Sequence, residues 1–224
     1  MTWRNELKHI ITPADRAAIC ANLRAVAKPD VHTGPDGSYL VRSLYFDDPA
    51  DRALREKLDG VNEREKFRIR CYNGDDSVIH LEKKMKKNGL GCKLSAPLTK
   101  EEVRRILDGD IGWMPGSGRP LVVELYAKMK GQGLRPKTIV DYERIPFVYG
   151  PGNVRVTIDY NIRTGLHCTD FLNPGCVTIP AGDPAIVLEV KWDEYLPEII
   201  RRAVQVKNRR AGAFSKYQMA RIYG

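Results

Sequence analysis

Apolar and charged residues alternate along several segments of the chain, most regularly between residues 65 and 72. Successive side chains of a β-strand point to opposite faces, so residues two apart share a face. One face of such a strand would carry Phe67, Ile69 and Cys71. The other would carry Lys66, Arg68 and Arg70. For a single segment, the ordinary explanation is a half-buried strand whose charged face lies in water.

The same alternation recurs elsewhere, and the recurrence changes the interpretation. Polar side chains share one face in segments 78–87, 154–160 and 186–192, and the stretches near residues 6 and 142 show the same spacing. These faces carry Glu6, Lys8, His80, Glu82, Lys84, Lys86, Tyr142, Arg144, Arg155, Thr157, Asp159, Glu189 and Lys191. Two cations roughly 7 Å apart repel by about 2 kcal/mol at an effective dielectric near 20. If these faces enclose a common space, that space needs an anion.

Turn and cap signals divide the chain into strands and helices. Strands are predicted at 6–11, 39–47, 65–72, 78–87, 91–95, 137–148, 154–162 and 185–192. Helices are predicted at 12–26, 48–58, 99–107, 121–130, 197–206 and 213–223. Because there is no regular βαβ alternation, we predict an α+β fold with a closed antiparallel eight-stranded β-barrel surrounded by helices, as a single domain over 1–224. With the apolar faces against the helices, the charged faces would line a tunnel.

Composition and charge agree with a folded protein that attracts polyanions. The chain has 224 residues, 37 Lys and Arg against 28 Asp and Glu, and a formal charge of +9. Hydrophobic residues make up 42%, which excludes a disordered chain. The net charge by itself fits nucleic acid, a phosphate chain or a membrane surface equally well. Its placement at alternating strand positions argues against a basic tail.

Cysteine and histidine spacings indicate neither a disulfide framework nor a zinc site. The five cysteines are odd in number and form no C-x-x-C pair, and the four histidines form no H-E-x-x-H motif. No apolar run is long enough to span a bilayer, and the polar start at residues 2–6 does not resemble a signal peptide. We therefore expect a cytoplasmic protein with structural thiols.

Rows of lysine and arginine suit a linear phosphate chain, because guanidinium groups bind phosphate oxygens in pairs and ammonium groups act as point charges. Carboxylates among these cations suit Mg²⁺ or Mn²⁺, which often bridges protein carboxylates and phosphate oxygens. Glu189 is the first candidate ligand, followed by Glu6, Glu82 and Asp159. For each carboxylate, a structural ion pair with a neighbouring lysine or arginine is the competing explanation.

Eight short segments, in this order, resemble the VTC domain, the polyphosphate polymerase catalytic domain of the vacuolar transporter chaperone complex. They are Glu6-Leu7-Lys8-His9, Ser43-Leu44-Tyr45-Phe46-Asp47, Phe67-Arg68-Ile69-Arg70, Glu82-Lys83-Lys84, Tyr142-Glu143-Arg144, Arg155-Val156-Thr157-Ile158-Asp159, Leu188-Glu189-Val190-Lys191 and Ser215-Lys216-Tyr217. That family belongs to the triphosphate tunnel metalloenzymes. The resemblance implies an eight-stranded tunnel in which basic residues hold a phosphate chain and an acidic residue holds a divalent metal.

Site residues follow from the resemblance, position by position. It implies catalytic roles for Lys216, Arg68, Arg70 and Arg144. It implies phosphate or nucleotide binding by Lys8, Lys84, Lys93, Tyr142, Arg155, Lys191 and Ser215. It implies Mn²⁺ or Mg²⁺ as cofactor, held by Glu189 and Glu6. ATP and inorganic polyphosphate are the implied partners, and a separate chain would supply any membrane channel.

We weigh four functions and predict an enzyme of the first kind, because Glu189 and Lys216 are both present. The first is a metal-dependent polyphosphate polymerase that transfers the γ-phosphoryl group of ATP to a growing chain and releases ADP. The second is a hydrolase of triphosphate or polyphosphate with the same fold. The third is a non-catalytic polyphosphate-binding subunit, which would lack the metal carboxylate and the lysine at the reacting end. The fourth is a nucleic-acid binder, which we do not expect because the basic rows lie opposite apolar faces.

Overall fold

The computed structural model describes residues 2–206 and 211–222, and an antiparallel sheet forms its centre. The strands are β1 (Asn5–Ile11), β2 (Lys28–Pro29), β3 (Tyr39–Asp47), β4 (Arg64–Tyr72), β5 (Asp75–Lys87), β6 (Leu90–Leu98), β7 (Arg135–Tyr149), β8 (Val154–Thr164), β9 (Ile179–Pro180) and β10 (Ile186–Trp192). The helices are α1 (Pro13–Val26), α2 (Arg52–Leu58), α3 (Lys100–Leu107), α4 (Pro120–Gln132), α5 (Glu198–Ala203) and α6 (Lys216–Ile222). The ends of the predicted domain, residues 1, 223 and 224, lie outside the described residues.

The eight longer strands follow one path through the sheet, in the order β1-β10-β8-β7-β3-β4-β5-β6. The short strands are attached at its side, with β2 on β7 and β9 on β8. Every described pairing between these strands is antiparallel. The predicted antiparallel sheet with helices is therefore confirmed.

The prediction of a closed barrel is wrong, because the sheet curls without completing its last ladder. Its end strands, β1 and β6, meet at one bridge, where Arg4 and Gly91 exchange two backbone hydrogen bonds of 2.9 Å. Further along β1, the carbonyl of Lys8 accepts a hydrogen bond from the Gly212 amide at 2.9 Å. The free edge of β1 is thus satisfied partly by the C-terminal segment, and a continuous ladder with β6 does not form.

Apolar residues on the outer face of the sheet pack against the helices, as the alternation predicts. Phe67, Ile69 and Cys71 belong to a core shared with α3 and α4. Val156 and Ile158 belong to a second core shared with α1 and α5. Charged side chains at the intervening positions therefore point to the inner face of the curled sheet.

Local signals set the helix ends where the sequence contains them. Thr12 with Asp15, and Thr99 with Glu102, form the reciprocal bonds of capping boxes that begin α1 and α3. The last predicted helix begins at Lys216, three residues later than expected, and in the segment before it the Gly212 amide donates to the Lys8 carbonyl of β1. No helix in the described residues is long and apolar enough to cross a membrane.

Candidate functional site

A cavity of about 640 Å³ lies inside the curled sheet and collects the residues that the sequence singled out. All thirteen predicted site residues line it: Glu6, Lys8, Arg68, Arg70, Lys84, Lys93, Tyr142, Arg144, Arg155, Glu189, Lys191, Ser215 and Lys216. Eleven come from seven different strands, and two come from the start of α6 or just before it. Their common location is a finding, while the role of each residue remains a prediction.

The lining of this cavity is strongly cationic. Within the described residues, fourteen lysines and arginines line it against two glutamates. Two further buried carboxylates, Glu82 and Asp159, bind cations of the lining from behind. Like charges that share one cavity repel strongly where water is excluded. The excess of positive charge therefore favours an anionic ligand that carries several charges.

The ladder between β1 and β10 brings lysines and glutamates together at one side of the cavity. Lys8 lies opposite Glu189 in this ladder, and Glu6 lies opposite Lys191. The Lys8 Nζ atom is 2.6 Å from Glu6 Oε1, and the Lys191 Nζ atom is 2.7 Å from Glu189 Oε1. Burial alone would raise the pKa of Glu189, but Lys191, Lys8 and Lys84 together hold it well below its usual range. Glu189 is therefore a buried carboxylate that stays ionised.

Asp159 binds two of the predicted catalytic residues at once. Its carboxylate accepts two hydrogen bonds from Arg144, at 2.6 and 2.8 Å, and one from Lys216 Nζ at 2.6 Å. Burial would raise the pKa of Asp159, but Arg144 and Lys216 lower it to about 2. The ammonium of Lys216 also lies 4.5 Å from the ring centre of Tyr142. Asp159 thus holds both cations beside the cavity.

Glu82 likewise holds two cations of the cavity lining, as Asp159 does. It accepts hydrogen bonds from Arg68 Nε and from Lys93 Nζ, both at 2.7 Å. Arg70 is held differently, because its guanidinium donates to the hydroxyls of Ser43 at 3.0 Å and Tyr142 at 2.8 Å. These partners fix both arginines in place, and both arginines line the cavity.

Lysines also face one another directly, without a carboxylate between them. In the ladders of β4, β5 and β6, Lys66 lies opposite Lys84, which lies opposite Lys93, and the next row pairs Arg64 with Lys86. The pKa of Lys66 falls to about 7, because of burial first and then the charges of Arg64 and Lys57. The pKa of Lys84 is well below its ordinary value, chiefly because of Lys191. An entering anion would favour the charged form of both lysines.

Two remaining predicted residues lie at the edges of the cavity. Arg155 donates a hydrogen bond to the hydroxyl of Tyr39 at 3.0 Å and lies 2.9 Å from Asp30. The Ser215 hydroxyl lies 3.4 Å from Lys66 Nζ, and the Phe214 carbonyl lies 3.3 Å from Lys8 Nζ. The segment before α6 therefore completes the cavity wall next to β1 and β4.

Oxygen atoms suited to a divalent metal lie near the centre of the ladder. Glu189 and Thr157 are directly opposite one another, and the buried Glu189 Oε1 and Thr157 Oγ1 atoms accept or donate no hydrogen bond among the described residues. The 2.7 Å contact of Lys191 with this oxygen lacks hydrogen-bond geometry. No group of three or more candidate metal-binding side chains occurs in that part of the chain. This arrangement fits Mg²⁺ or Mn²⁺ bound by one or two carboxylates, with phosphate oxygens and water completing its shell.

Four residues line the cavity although they are not among the predicted site residues: Tyr45, Lys66, Thr157 and Tyr217. Lys66 and Thr157 have the inward spacing that selected their neighbours, so the alternation alone identifies them. The rings of Tyr45 and Tyr217 stack with their centres 5.1 Å apart. In the sequence, 171 residues lie between them, roughly three quarters of the chain. Such a contact follows only from the three-dimensional fold.

Chemically, the cavity can bind a chain of phosphates and stabilise charge that develops on it. Phosphoryl transfer depends mainly on positioning and on electrostatic stabilisation of the transferred group. Both requirements can be met here. The arginines are held in fixed positions, the lysines can gain charge when an anion binds, and Glu189 is ionised.

Comparison with known proteins places this geometry in a family. A family model described as the VTC domain matches residues 3–223. Among solved structures, a proposed adenylate cyclase from Bacillus halodurans has a TM-score of 0.51 at 14% identity, over 85% of this chain and 80% of the other. A Pyrococcus horikoshii protein has the same score and identity over 96% and 98%. No curated protein matches. The structural likenesses concern the fold, whereas the family match spans nearly the whole sequence, and the chain belongs to the VTC domain family.

Proposed function

We propose that this protein is a metal-dependent polyphosphate polymerase, which transfers the γ-phosphoryl group of ATP to a polyphosphate chain and releases ADP. Membership of the VTC domain family supports a function related to polyphosphate or triphosphate. The observation that carries the proposal is the cavity itself, which fourteen lysines and arginines of the described residues line together with a buried, ionised Glu189. A simple phosphate-binding surface has no need of such a carboxylate, because it opposes anion binding.

Substrate binding would exchange internal partners for phosphate oxygens. Arg144 and Lys216 now bind Asp159, and Arg68 and Lys93 now bind Glu82. These side chains are therefore already placed, and those of Arg144, Lys216 and Arg68 are also largely desolvated, which lowers the cost of arranging them around a phosphate chain. Arginines would hold successive phosphates in pairs of hydrogen bonds, while Lys216 would offset the charge that develops on the transferred group.

The residues that would hold the metal are Glu189 and Glu6. Bound Mn²⁺ or Mg²⁺ would neutralise negative charge on the reacting phosphates. Lys8 and Lys191 keep both glutamates ionised, since each lysine lies within 2.7 Å of one of their carboxylates. An ionised carboxylate is thereby available to bind a metal cation in a cavity whose other charges favour anions.

The test resolves three products in one assay. Purified protein is incubated with ATP and Mn²⁺, and ADP, free phosphate and long-chain polyphosphate are measured together. The proposal predicts ADP and polymer in the wild type, and neither in Glu189→Gln, which should still bind tripolyphosphate. A control variant, Glu143→Gln, changes a glutamate outside the cavity lining and should keep full activity.

Other outcomes would contradict the proposal and identify its alternatives. Free phosphate without polymer would indicate a hydrolase of the same fold. Binding of tripolyphosphate without turnover would indicate a non-catalytic phosphate-binding subunit. Steeply salt-dependent binding to duplex nucleic acid that tripolyphosphate does not compete would indicate a nucleic-acid protein instead.

A further inference from the structure

Asp47 is a buried carboxylate that the proposed reaction does not use. It ends β3, is 1% exposed and accepts four hydrogen bonds. The backbone amides of Asp48 and Ala53 donate to Oδ1 at 3.0 and 2.8 Å. The Leu54 amide and the Tyr217 hydroxyl donate to Oδ2 at 3.2 and 2.6 Å. No ion pair of Asp47 with a lysine or arginine occurs among the described residues, so these four donors are what stabilise it.

Three of these four bonds connect two helices that lie outside the sheet. Ala53 and Leu54 belong to the first turn of α2, and Tyr217 is the second residue of α6. Each of the two helices brings one lysine to the cavity, Lys57 from α2 and Lys216 from α6. One carboxylate therefore fixes the approach of both lysines.

Tyr217 is suited to this role because its hydroxyl remains a donor. Burial first, and then the hydrogen bond to Asp47, raise the pKa of Tyr217. The ring is 1% exposed and stacks on Tyr45, whose hydroxyl accepts a hydrogen bond from Arg68 at 3.1 Å. The bond between Tyr217 and Asp47 thus joins the helix that carries Lys216 to β3, whose Tyr45 contacts Arg68 of the predicted phosphate site.

The beginning of α6 is held by Tyr217, through its bond to Asp47 and its stacking on Tyr45, and by the 2.6 Å bond from Lys216 to Asp159. In the proposed reaction Lys216 exchanges Asp159 for phosphate, whereas the contacts of Tyr217 stay in place. The segment before the helix adds a 2.9 Å bond from the Gly212 amide to the Lys8 carbonyl and longer contacts, 3.3 Å from Lys8 to the Phe214 carbonyl and 3.5 Å from Lys57 to the Ala213 carbonyl. At the other end of the helix, Arg221 donates to Asp51 at 2.8 Å. α6 is therefore attached to the region around α2 at both ends, but only the first attachment adjoins Lys216.

We propose that Asp47 and Tyr217 are positioning residues that hold Lys216 at the reacting phosphate. The proposal rests on the function proposed above, in which Lys216 acts on the transferred group. Positioning errors of about 1 Å can reduce a rate by a factor on the order of 100. Loss of the Tyr217 hydroxyl should therefore affect turnover more than substrate binding, which many other cations of the cavity support.

The test compares Tyr217→Phe with Arg221→Gln. Each variant removes one attachment of α6, and Arg221 is not part of the proposed binding machinery. The expected result for Tyr217→Phe is a fall of roughly tenfold or more in kcat, with the KM for ATP and the Kd for tripolyphosphate changed less than about twofold. Arg221→Gln should keep the wild-type kcat, even if its melting temperature falls as much as that of Tyr217→Phe or more.

A purely structural role for Tyr217 would give a different pattern. If kcat fell in both variants in proportion to melting temperature, or did not fall in Tyr217→Phe, the proposal would be overturned. The reactivity of Lys216 toward trace acetic anhydride, followed by mass spectrometry, gives a readout that needs no turnover. Labelling of Lys216 should rise several-fold in Tyr217→Phe and stay constant in Arg221→Gln. Constant labelling in both would overturn the proposal even if the wild type made no polymer, so its failure is distinguishable from failure of the proposed function.

Discussion

Individual cations of the cavity fall into two groups, according to whether a carboxylate holds them. Arg144 and Lys216 share Asp159, so one carboxylate offsets part of their two positive charges before any ligand binds. Lys66 and Lys84 face one another across a ladder and have no carboxylate partner among the described residues. The first group is preorganised, and the second gains its full charge when an anion enters. The two groups should therefore respond differently to pH.

Binding of a phosphate chain should take up a proton at Lys66. The pKa of this lysine is about 7 in the free cavity, so at pH 8 the side chain is mostly neutral. Bound phosphate favours the ammonium form, so affinity should fall as pH rises above 7, while below pH 7 this residue adds no pH dependence. Titration calorimetry at pH 8 in two buffers of different ionisation enthalpy measures the uptake.

Substitution of the lysine identifies the source of that proton. Lys66→Met should reduce the uptake by up to about one proton. Lys87→Gln, which removes an exposed lysine paired with Glu63, serves as the control and should leave uptake unchanged. Equal uptake in the wild type and Lys66→Met would show that Lys66 is already charged in the free cavity.

At the scale of elements, the alternation of side chains predicted most of the sheet and most of the site. It identified the inward faces of β4, β5, β8 and β10, because a strand with one buried apolar face has its register fixed by that face. It could not predict that the edge of β1 binds Gly212 instead of β6, since that choice depends on where the distant C-terminal segment lies. For the same reason, it could not find the contact between Asp47 and Tyr217.

In the turn between β7 and β8, position 152 accommodates only glycine without strain. Gly152 has a φ of +71°, and a Cβ atom there would lie 2.4 Å from the Tyr195 carbonyl oxygen. Gly152→Ala should therefore lower the free energy of unfolding by about 1–3 kcal/mol or more, through backbone strain and this clash. The nearby Gly150, whose φ is −60° and whose Cβ would meet nothing within 4 Å, is the matched control. Urea unfolding of both alanine variants tests the turn, and equal midpoints would contradict it.

Over the whole molecule, positive charge is gathered inside the cavity. The chain carries a formal charge of +9, and fourteen of the lysines and arginines that the structure describes line this one space. Composition predicted attraction to a polyanion but not where it would bind, because net charge has no position. Enclosure inside the sheet agrees with the proposed phosphate chain, which is more slender than a nucleic-acid duplex.

Stability should consequently depend on ligands that neutralise this charge. Tripolyphosphate should raise the melting temperature of the wild type, since a ligand that binds only the folded state stabilises it. Glu82→Gln leaves Arg68 and Lys93 without their carboxylate and should cost about 3–5 kcal/mol of stability. Tripolyphosphate should then raise the melting temperature of this variant more than that of the wild type. Glu101→Gln, which alters an exposed pair with Arg104, should respond like the wild type.

Phosphate binding inside the curled sheet is tested most directly by a crystal structure of the protein with tripolyphosphate and Mn²⁺. We expect phosphates inside the cavity, between the arginines of β4 and the lysines of β1 and β10, with Mn²⁺ at Glu189 and with Lys216 turned from Asp159 toward a phosphate oxygen. An empty cavity with phosphate bound on the outer surface, at concentrations that saturate binding in solution, would contradict it.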